Sequence, residues 1–268
     1  MTSLSCRVAT TQRHLDDALS VRYTVFGAEL GLLGSSAPSA PREVNCFDTL
    51  ATTSHVVVYA DEVPVATARL LLPNQEVAHA TGRRWGIALE EKVDLSSVDG
   101  TGLLFAESTR FCVLNPWRHS DALLWLMAGL YWESRERGVT HWIASANMET
   151  DAEEDARLVY QVAKYKGWLS QRWHVPSHSS PPPPETPLAP LYSEWERAGA
   201  RRGQLEGLRM PGVLSFFARK MGARFISEPL YEPAFQRYSL PLVAALNEIP
   251  ASTLRRFDAL SVRTARGT

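Results

Sequence analysis

The stretch that decides the fold of this chain is Phe105-Ala106-Glu107-Ser108-Thr109-Arg110-Phe111-Cys112-Val113. Its composition predicts a strand, although a carboxylate and a guanidinium stand three residues apart in it. Ionised side chains seldom lie on a strand between Phe and Val unless they are paired or used. Because residues at odd separation point to opposite faces of a strand, Glu107 and Arg110 can face one cleft only if a bulge intervenes. We therefore expect a functional strand here.

Apolar periodicity and breaker residues predict further elements on both sides of this central strand, which we place at 103–114. The predicted helices lie at 12–33, 120–138, 150–167 and 211–221, and the other predicted strands at 55–59, 63–72, 141–146, 224–226 and 238–246. Ala60-Asp61-Glu62 predicts a hairpin turn, and Thr150-Asp151-Ala152-Glu153 predicts a capping box. Strands joined first by a hairpin and later through single helices indicate an α/β (α+β) chain, with a mixed sheet and helices on both faces.

The length of 268 residues is enough to bury the core of one large domain. We predict a single domain over residues 1–250, with an insertion at 176–190 and a basic C-terminal tail at 251–268. The insertion contains a run of four prolines among serines, which excludes the interior of a helix or sheet. We expect it to be exposed.

Charge and cysteine content limit the classes of function. The formal net charge of −1 shows no bias toward nucleic acid or a membrane surface. No segment approaches the run of about 18 apolar residues that spans a bilayer, and the N-terminus lacks the pattern of a signal peptide. Cys6, Cys46 and Cys112 form neither a disulfide framework nor a zinc pattern, which indicates a reducing, cytoplasmic location. We expect no metal, no nucleic-acid partner and no integral membrane segment.

Motifs with charged residues precede the central strand in a defined order. They are Arg22 and Phe26 four residues apart in the first predicted helix, Asp48 after Asn45-Cys46-Phe47, and Arg69 in Ala68-Arg69-Leu70-Leu71-Leu72-Pro73. Together with Glu107-Ser108-Thr109-Arg110-Phe111, this set resembles the acyl-homoserine lactone (autoinducer) synthases and the related N-acyl amino acid synthases of the GNAT superfamily. The resemblance covers roughly residues 15–170, and it depends on the order of the motifs because none is specific alone.

The chain departs from the family pattern at a few positions. Asn45 stands where those synthases have the first of two aspartates, and Thr109 replaces a serine. Pro73-Asn74 replaces the usual Pro-Thr, after one extra leucine. Because the family handles its amine at the altered carboxylate, the resemblance favours an amino acid acceptor over the cationic S-adenosylmethionine. An asparagine carbonyl also accepts hydrogen bonds from an ammonium, so both acceptors stay open.

The resemblance implies a GNAT-like fold with a mixed, largely antiparallel central sheet and a bulge in the central strand. It also implies attack of an amine on a thioester, which needs a base for the ammonium proton and donors for the oxyanion. Glu107 would be the base, through a water, and backbone N–H groups around Phe111, Cys112 and Val113 would bind the thioester oxygen. The implied substrate-binding residues are Arg22, Phe26, Asn45, Asp48, Arg69, Arg110 and Phe111. The alternative is that the charged members of this set form a buried network that only holds the structure together.

The acyl donor is predicted from the connection Leu114-Asn115-Pro116-Trp117-Arg118-His119-Ser120-Asp121. Acetyl-CoA-dependent GNAT enzymes have a glycine-containing loop here, whose N–H groups cradle the pyrophosphate. This connection has no glycine, and Pro116 lacks an N–H. We therefore expect the acyl-phosphopantetheine of acyl carrier protein as donor, with acyl-CoA as the open alternative and no permanently bound cofactor. A basic neighbourhood could dock the acidic carrier protein or be ordinary solvated surface: Arg118, Arg135, Lys164 and Lys166.

The sequence thus predicts an N-acyltransferase that moves a fatty acyl group from acyl carrier protein, or acyl-CoA, to the amine of an amino acid or a similar small molecule. Three alternatives remain. They are an acyl-homoserine lactone synthase that uses S-adenosylmethionine, a non-catalytic module that binds acyl chains or carrier protein, and an acetyl-CoA-dependent acetyltransferase.

Overall fold

The computed structural model describes residues 3–33, 41–178, 182–183 and 187–260, in which one sheet of eight strands is flanked by helices. The strands are β1 (Leu4–Val8), β2 (Thr53–Ala60), β3 (Val63–Leu71), β4 (Phe105–Val113), β5 (His141–Asn147), β6 (Arg224–Phe225), β7 (Leu230–Glu232) and β8 (Arg237–Ala245). The helices are α1 (Gln12–Tyr23), α2 (Gln75–Thr81), α3 (Ala122–Glu136), α4 (Glu153–Tyr165), α5 (Glu194–Arg201), α6 (Gly212–Lys220) and α7 (Ala251–Asp258). The sequence had not predicted β1, β7, α2, α5 or α7.

The strand order is β1-β2-β3-β4-β5-β8-β6, and β7 also pairs with β8. Among the described strands, only β4 and β5 pair in parallel, and all other neighbours are antiparallel. The predicted strand β4 therefore lies in the middle of a mixed, largely antiparallel sheet, as expected. Its parallel ladder with β5 is short, because only Phe105–Glu107 pairs with His141–Ile143. Beyond these residues the two strands separate.

Alternation along β2 distinguishes two faces of the sheet. Val56 and Val58 belong to a core shared with α3, whereas Val57 and Tyr59 pack with Ala18 of α1. We call these sides the α3 face and the α1 face. Helices α4, α6 and α7 also pack on the α3 face, and α2 lies with the smaller core on the other side. Helices on both faces confirm the predicted architecture.

Helix α3 comes closest to the sheet at Gly129. A Cβ on this residue would lie 2.5 Å from Sγ of Cys6 in β1 and 2.8 Å from a methyl carbon of Val56 in β2. No real Cβ tolerates such distances, so the glycine is required by packing. The absence of a side chain at this position therefore sets how closely α3 covers the sheet.

The first helix is shorter than the predicted 12–33. Helix α1 ends at Tyr23, and a π-helical turn over Thr24–Glu29 follows it. The chain then leaves the helix near Gly31, which has a left-handed φ of +64°. Such single-turn π segments are uncommon and often occur at functional sites. Here the turn carries Val25 and Phe26 toward the interior.

The predicted capping box at Thr150-Asp151-Ala152-Glu153 is wrong. Ala152 is the N-cap of α4, and its N–H donates to the hydroxyl of Thr150. The Asp151 carboxylate instead accepts the N–H groups of Leu188 and Ala189, both at 2.8 Å. These bonds fasten the end of the expected insertion at 176–190 to the core. Of its run of four prolines, Pro181 and Pro184 lie outside the described residues.

The expected basic tail at 251–268 begins as part of the packed structure. Residues Ala251–Asp258 form α7, in which Thr253 and Phe257 are buried. The ring of Phe257 packs against Tyr131 of α3, with centroids 5.6 Å apart. Residues 261–268 lie outside the described part of the chain. Over the described residues, none of the helices has the length and apolar character needed to cross a membrane.

Candidate active site

A cavity of about 580 Å³ opens where β4 and β5 separate. One side of it is Ser108–Phe111 of β4, and the opposite side is Ala144–Asn147 of β5. A cavity of this size matches those that hold small-molecule ligands. Because the parallel ladder is short, the ends of β4 and β5 are not paired with each other, and they leave a gap in the sheet.

A β-bulge in β4 shapes this gap. Thr67 of β3 pairs with Cys112, but Arg69 pairs with Thr109, so β4 has one extra residue between these pairs. Arg110 lies in this bulge and has a left-handed φ of +57°, which is strained for a residue with a side chain. The bulge expected from the resemblance is confirmed. With the bulge, residues at odd separation such as Glu107 and Arg110 can face the same side of the sheet.

Arg110 and Phe111 leave the bulge in different directions. The ring of Phe111 packs edge-on against Phe217 of α6, with centroids 5.9 Å apart, on the α3 face. The guanidinium of Arg110 lies 5.8 Å from the ring centres of both Phe26 and Phe235. Arg110, Phe111 and Phe26 all line the cavity. For these three predicted residues, position agrees with a role in binding.

The cavity has an apolar side and an ionic side. The apolar lining on the α3 face includes Leu123, Met127, Ala144, Ala146, Val213, Phe216 and Phe217. The ionic lining includes Lys92, Arg110, Ser145, Glu232 and Ser239. Ala144 and Ala146 alternate with Ser145 along β5, so one strand supplies both sides. The two kinds of lining meet at the gap.

The ionic side contains a connected group that the sequence did not reveal. Glu232 of β7 forms an ion pair with Lys92, and its other carboxylate oxygen bonds to the Ser145 hydroxyl at 2.9 Å. The Ser145 hydroxyl also bonds to the Ser239 hydroxyl at 2.7 Å. Lys92 and Glu232 are far apart in sequence, and β7 is too short to show a strand pattern. No local signal could have found this group.

Glu107 lies beside the cavity and not in its wall. Its side chain is buried, and Oε2 accepts the N–H of Leu89 at 2.9 Å. Burial raises the pKa of Glu107, although the nearby charges of Arg69, Lys92 and Arg110 partly oppose this. Glu107 is the last β4 residue paired with β5, so it lies where the gap begins. Its assignment as base stays a prediction.

Behind the cavity, the predicted charged residues form a buried network around Asp48. The carboxylate accepts two hydrogen bonds from Arg22, at 2.7 and 3.0 Å, and one from Arg69 at 2.8 Å. It also accepts the N–H of Asn45 at 2.6 Å. Burial alone would raise the pKa of Asp48, but the Arg22 hydrogen bonds and the charges of Arg22 and Arg69 lower it overall. None of these four residues lines the cavity, so the structure places them as its support.

Glu43 connects this network to the cavity, and sequence reasoning missed it. Its carboxylate pairs with Arg22 and lies 3.5 Å from the Nε of Arg110. It stands two residues before Asn45, whose side-chain oxygen is bonded to the N–H of Phe47 at 3.0 Å. A carboxylate is therefore present near the position where Asn45 appeared to remove one. Asn45 therefore no longer counts against a cationic acceptor such as S-adenosylmethionine.

Cys112 and Val113 are not in the cavity wall. Cys112 packs with Val21, Val25 and Phe26, and burial raises the pKa of its thiol to about 12. A thiol with that pKa is not a nucleophile at neutral pH, so any role of Cys112 in catalysis would belong to its backbone. The oxyanion role of the N–H groups from Phe111 to Val113 remains a prediction.

The connection after β4 has little capacity to cradle a pyrophosphate. The N–H of Asn115 donates to Glu29, and the N–H groups of Trp117, Arg118 and Ser120 donate to carbonyls within the same turn. Pro116 has no N–H. The backbone donors that such a cradle needs are therefore largely occupied by the loop itself.

Comparison with known proteins agrees with this geometry. Residues 21–128 match the family model described as an acetyltransferase (GNAT) domain. This part of the chain is therefore GNAT-like. This match spans the end of α1, the π-helical turn, the β2–β3 hairpin, the bulged strand and the first half of α3. The π-helical turn, the bulged strand and α3 all contribute residues to the cavity wall. Within residues 21–128, the order of elements and the bulged strand agree with the match to a GNAT acetyltransferase domain. No sequence among the curated proteins matches it.

Solved structures extend the likeness of the GNAT domain to nearly the whole chain. BjaI, a CoA-dependent acyl-homoserine lactone synthase solved with SAM and isopentyl-CoA, is 13% identical with a TM-score of 0.53, over 98% of this chain and 92% of that one. FeeM, an N-acyl amino acid synthase from uncultured soil microbes, is 11% identical with a TM-score of 0.49, over 92% and 93%. At such identities the likeness concerns the fold, and the BjaI superposition supports the GNAT-like architecture.

Proposed function

We propose that this chain is an N-acyltransferase that moves a fatty acyl group from acyl carrier protein, or from acyl-CoA, to the α-amine of an amino acid or a similar small molecule. The observation that carries this proposal is the cavity at the β4 bulge. It has an apolar side suited to an acyl chain and an ionic side suited to a polar acceptor. The GNAT domain supplies the reaction class.

The proposed step forms a C–N bond and breaks a C–S bond. The ammonium of the acceptor first loses a proton, and the free amine attacks the thioester carbonyl carbon. The tetrahedral intermediate carries a negative oxygen, which needs hydrogen-bond donors. On its collapse the thiolate leaves and takes the second proton from the former amine nitrogen, which gives an amide and a thiol. The first proton passes to the base and then to solvent.

Glu107 is the proposed base, acting through a water. It lies next to Ile143 in the parallel ladder, and Ser145 follows two residues later on the same face as Ile143. Glu107 therefore points to the face that carries the ionic side of the cavity. Because burial raises its pKa, it binds a proton more readily than an exposed glutamate does. This position and this basicity support its role.

Acyl carrier protein is the preferred donor in this proposal. The occupied N–H groups after β4 argue against tight binding of a nucleotide pyrophosphate, and phosphopantetheine on a carrier protein has none. Arg118 lines the cavity and pairs with Glu29, and an acidic partner would compete with Glu29 for this guanidinium. The other predicted docking residues are on α3 (Arg135), on α4 (Lys164) and just after α4 (Lys166).

One observation favours a second candidate, an acyl-homoserine lactone synthase that uses S-adenosylmethionine. Glu43 provides a carboxylate close to Arg110, so the acceptor side is not depleted of negative charge despite Asn45. A sulfonium is compatible with such a carboxylate. The two candidates share the same acyl transfer and differ in the acceptor.

A direct assay separates these functions. The purified chain would be incubated with acyl carrier protein carrying medium or long acyl chains, or with the same acyl-CoAs. Each donor would be offered an equimolar mixture of L-amino acids or S-adenosylmethionine, with mass spectrometry of the products. N-acyl amino acids support the proposal, and acyl-homoserine lactones support the second candidate. No acyl amide from any pair would contradict both and favour a non-catalytic binding module.

A further inference from the structure

The ionic side of the cavity contains an ion pair that the acyl transfer described above does not use. Lys92 follows the 3₁₀ turn at Ala88–Glu91, and Glu232 ends β7. The Lys92 side chain is 30% exposed and that of Glu232 is 8% exposed, and both line the cavity. A charged pair in a cavity wall that is open on the lysine side can exchange one of its contacts for a ligand.

A second cation lies near the same aromatic ring as Lys92. Lys92 Nζ is 5.9 Å from the centre of the Phe235 ring, and the Arg110 guanidinium is 5.8 Å from it. Phe235 also packs edge-on against Phe26, with centroids 5.5 Å apart. The two cations are therefore held near one aromatic surface, and Glu232 with its serine partners lies beside them.

This arrangement complements a zwitterion. An α-amino acid group presents an ammonium and a carboxylate on one carbon atom. Moving either charge from water into the cavity costs free energy, which pairing with an opposite charge offsets. Glu232 and the Ser145 hydroxyl can accept hydrogen bonds from the ammonium. Lys92 can donate to the carboxylate without losing Glu232 entirely, since an ammonium has three donors.

We infer that Lys92 binds the free α-carboxylate of the acceptor and that Glu232 binds its ammonium. This assignment rests on the proposed N-acyl transfer and narrows it. The acceptor class is compounds with an intact α-amino acid group, and simple amines or esterified amino acids are poor acceptors. Both acceptor candidates above contain such a group, so the inference is independent of the choice between them.

The competing explanation is structural, in which the pair only ties β7 to the 3₁₀ turn. A ratio measured in one reaction distinguishes the two. Purified protein with acyl carrier protein as donor would receive an equimolar mixture of free L-amino acids and their methyl esters. The ratio of acylated acid to acylated ester is independent of how much protein is folded. The esters have a lower amine pKa than the free acids, and dividing the variant's ratio by the parent's ratio removes the effect of this difference.

Lys92→Met should lower the acid-to-ester ratio by about tenfold to a hundredfold, the range of one lost hydrogen bond between charged groups. Glu232→Gln should lower acylation of acids and esters alike and leave the ratio unchanged. The matched control is Lys220→Met, a lysine exposed at the end of α6, which should behave as the parent.

A parental acid-to-ester ratio in Lys92→Met would overturn the assignment and leave the N-acyltransferase proposal standing. A parent chain that acylates neither acids nor esters would overturn the proposed function and this assignment together. These results look different on the same mass spectrum, because the first retains products and the second has none.

Discussion

At the scale of single residues, Glu107 and Asp48 show how different partners give two buried carboxylates opposite shifts in pKa. Asp48 has four hydrogen bonds to charged or backbone donors, and its pKa is lowered. Glu107 has one backbone donor and more distant charges, and its pKa is raised. A carboxylate fixed in its ionised form suits support, whereas one that takes up a proton easily suits catalysis.

Glu107→Gln should reduce turnover by about a hundredfold to ten-thousandfold, because the amide cannot accept the ammonium proton. A base must be ionised to accept a proton, so the parent's activity should rise as pH passes through a pKa above the usual glutamate range. The variant should not show this rise of activity with pH. The pH profile of N-acylation checks both. Glu133→Gln is the matched control, since Glu133 is an equally buried glutamate on α3, where it bonds Ser54. Unchanged turnover in Glu107→Gln would rule Glu107 out as base.

The stability of Glu107→Gln separates catalysis from folding. A raised folded pKa gives a contribution to stability that is present below the unfolded pKa and lost as pH rises through the folded pKa. Removing the ionisable group should therefore leave the protein at least as stable as the parent at neutral or higher pH. Urea denaturation of both proteins measures this. A large loss of stability would instead indicate that Glu107 holds the structure together.

Asp48→Asn should destabilise the protein by about 3–5 kcal/mol, because it leaves Arg22 and Arg69 buried without their shared countercharge. The lowered pKa means that the stabilising contribution is present above the unfolded aspartate pKa and lost as pH falls through the folded one. The difference from the parent should therefore shrink in acid. Urea denaturation across pH measures it. Glu62→Gln, in an exposed pair with Arg7, is the control and should change little.

At the scale of elements, α3 and the gap between β4 and β5 define the site. Gly129 allows α3 to lie close to β1 and β2, and Leu123 and Met127 of the same helix line the cavity. The position of the apolar wall is thus fixed by packing at a residue that does not line it. Changes at the two places should have separable effects.

Gly129→Ala should destabilise the protein by about 1–3 kcal/mol, because the added methyl overlaps Cys6 and Val56 and outweighs the better helix propensity of alanine. Thermal or urea denaturation measures the change. Gly207→Ala is the control, since a Cβ at Gly207 would meet nothing within 4 Å. If Gly129→Ala were as stable as the control, α3 would not be held at the distance described.

Ala146→Leu should shift the products toward shorter acyl chains, by about three carbons, because the added side chain fills part of the apolar wall. Ala146 is buried and lines the cavity. Competition among a series of acyl donors, with mass spectrometry of the amides, measures the distribution. Ala259→Leu, at an exposed residue just after α7, should leave it unaltered. An unaltered distribution in Ala146→Leu would place the acyl chain elsewhere.

At the scale of the whole molecule, the fold was predictable because its central elements carry local patterns. The β2–β3 hairpin, β4, α3 and β5 all show the periodicity of their type, and the structure confirms them. The three-residue β7 has no such pattern, since its pairing with β8 is decided by tertiary contact. The capping box failed for a related reason, because the Thr150 hydroxyl donates to the distant carbonyl of Ala189 and Glu153 pairs with Arg157.

The site was less predictable than the fold. The motif residues Phe26, Arg110 and Phe111 are in the cavity wall, but others of the set form its buried support. Lys92 and Glu232 meet only because β7 lies beside the 3₁₀ turn in space. Sequence patterns report the local conformation of a segment and say little about which distant side chains meet. Long-range ion pairs therefore have to be read from the structure.

The gap between β4 and β5 also leaves two strand edges facing each other without backbone partners across it. Within the described residues, the ladder ends at Glu107 and Ile143, so the facing edges of Ser108–Phe111 and Ala144–Asn147 are open. An edge of this kind accepts an added strand. Under the proposed function, the phosphopantetheine arm of the donor is an extended chain with amide groups, and it would pair with these edges as an added strand does. Donor binding would then supply backbone partners to both edges of the gap.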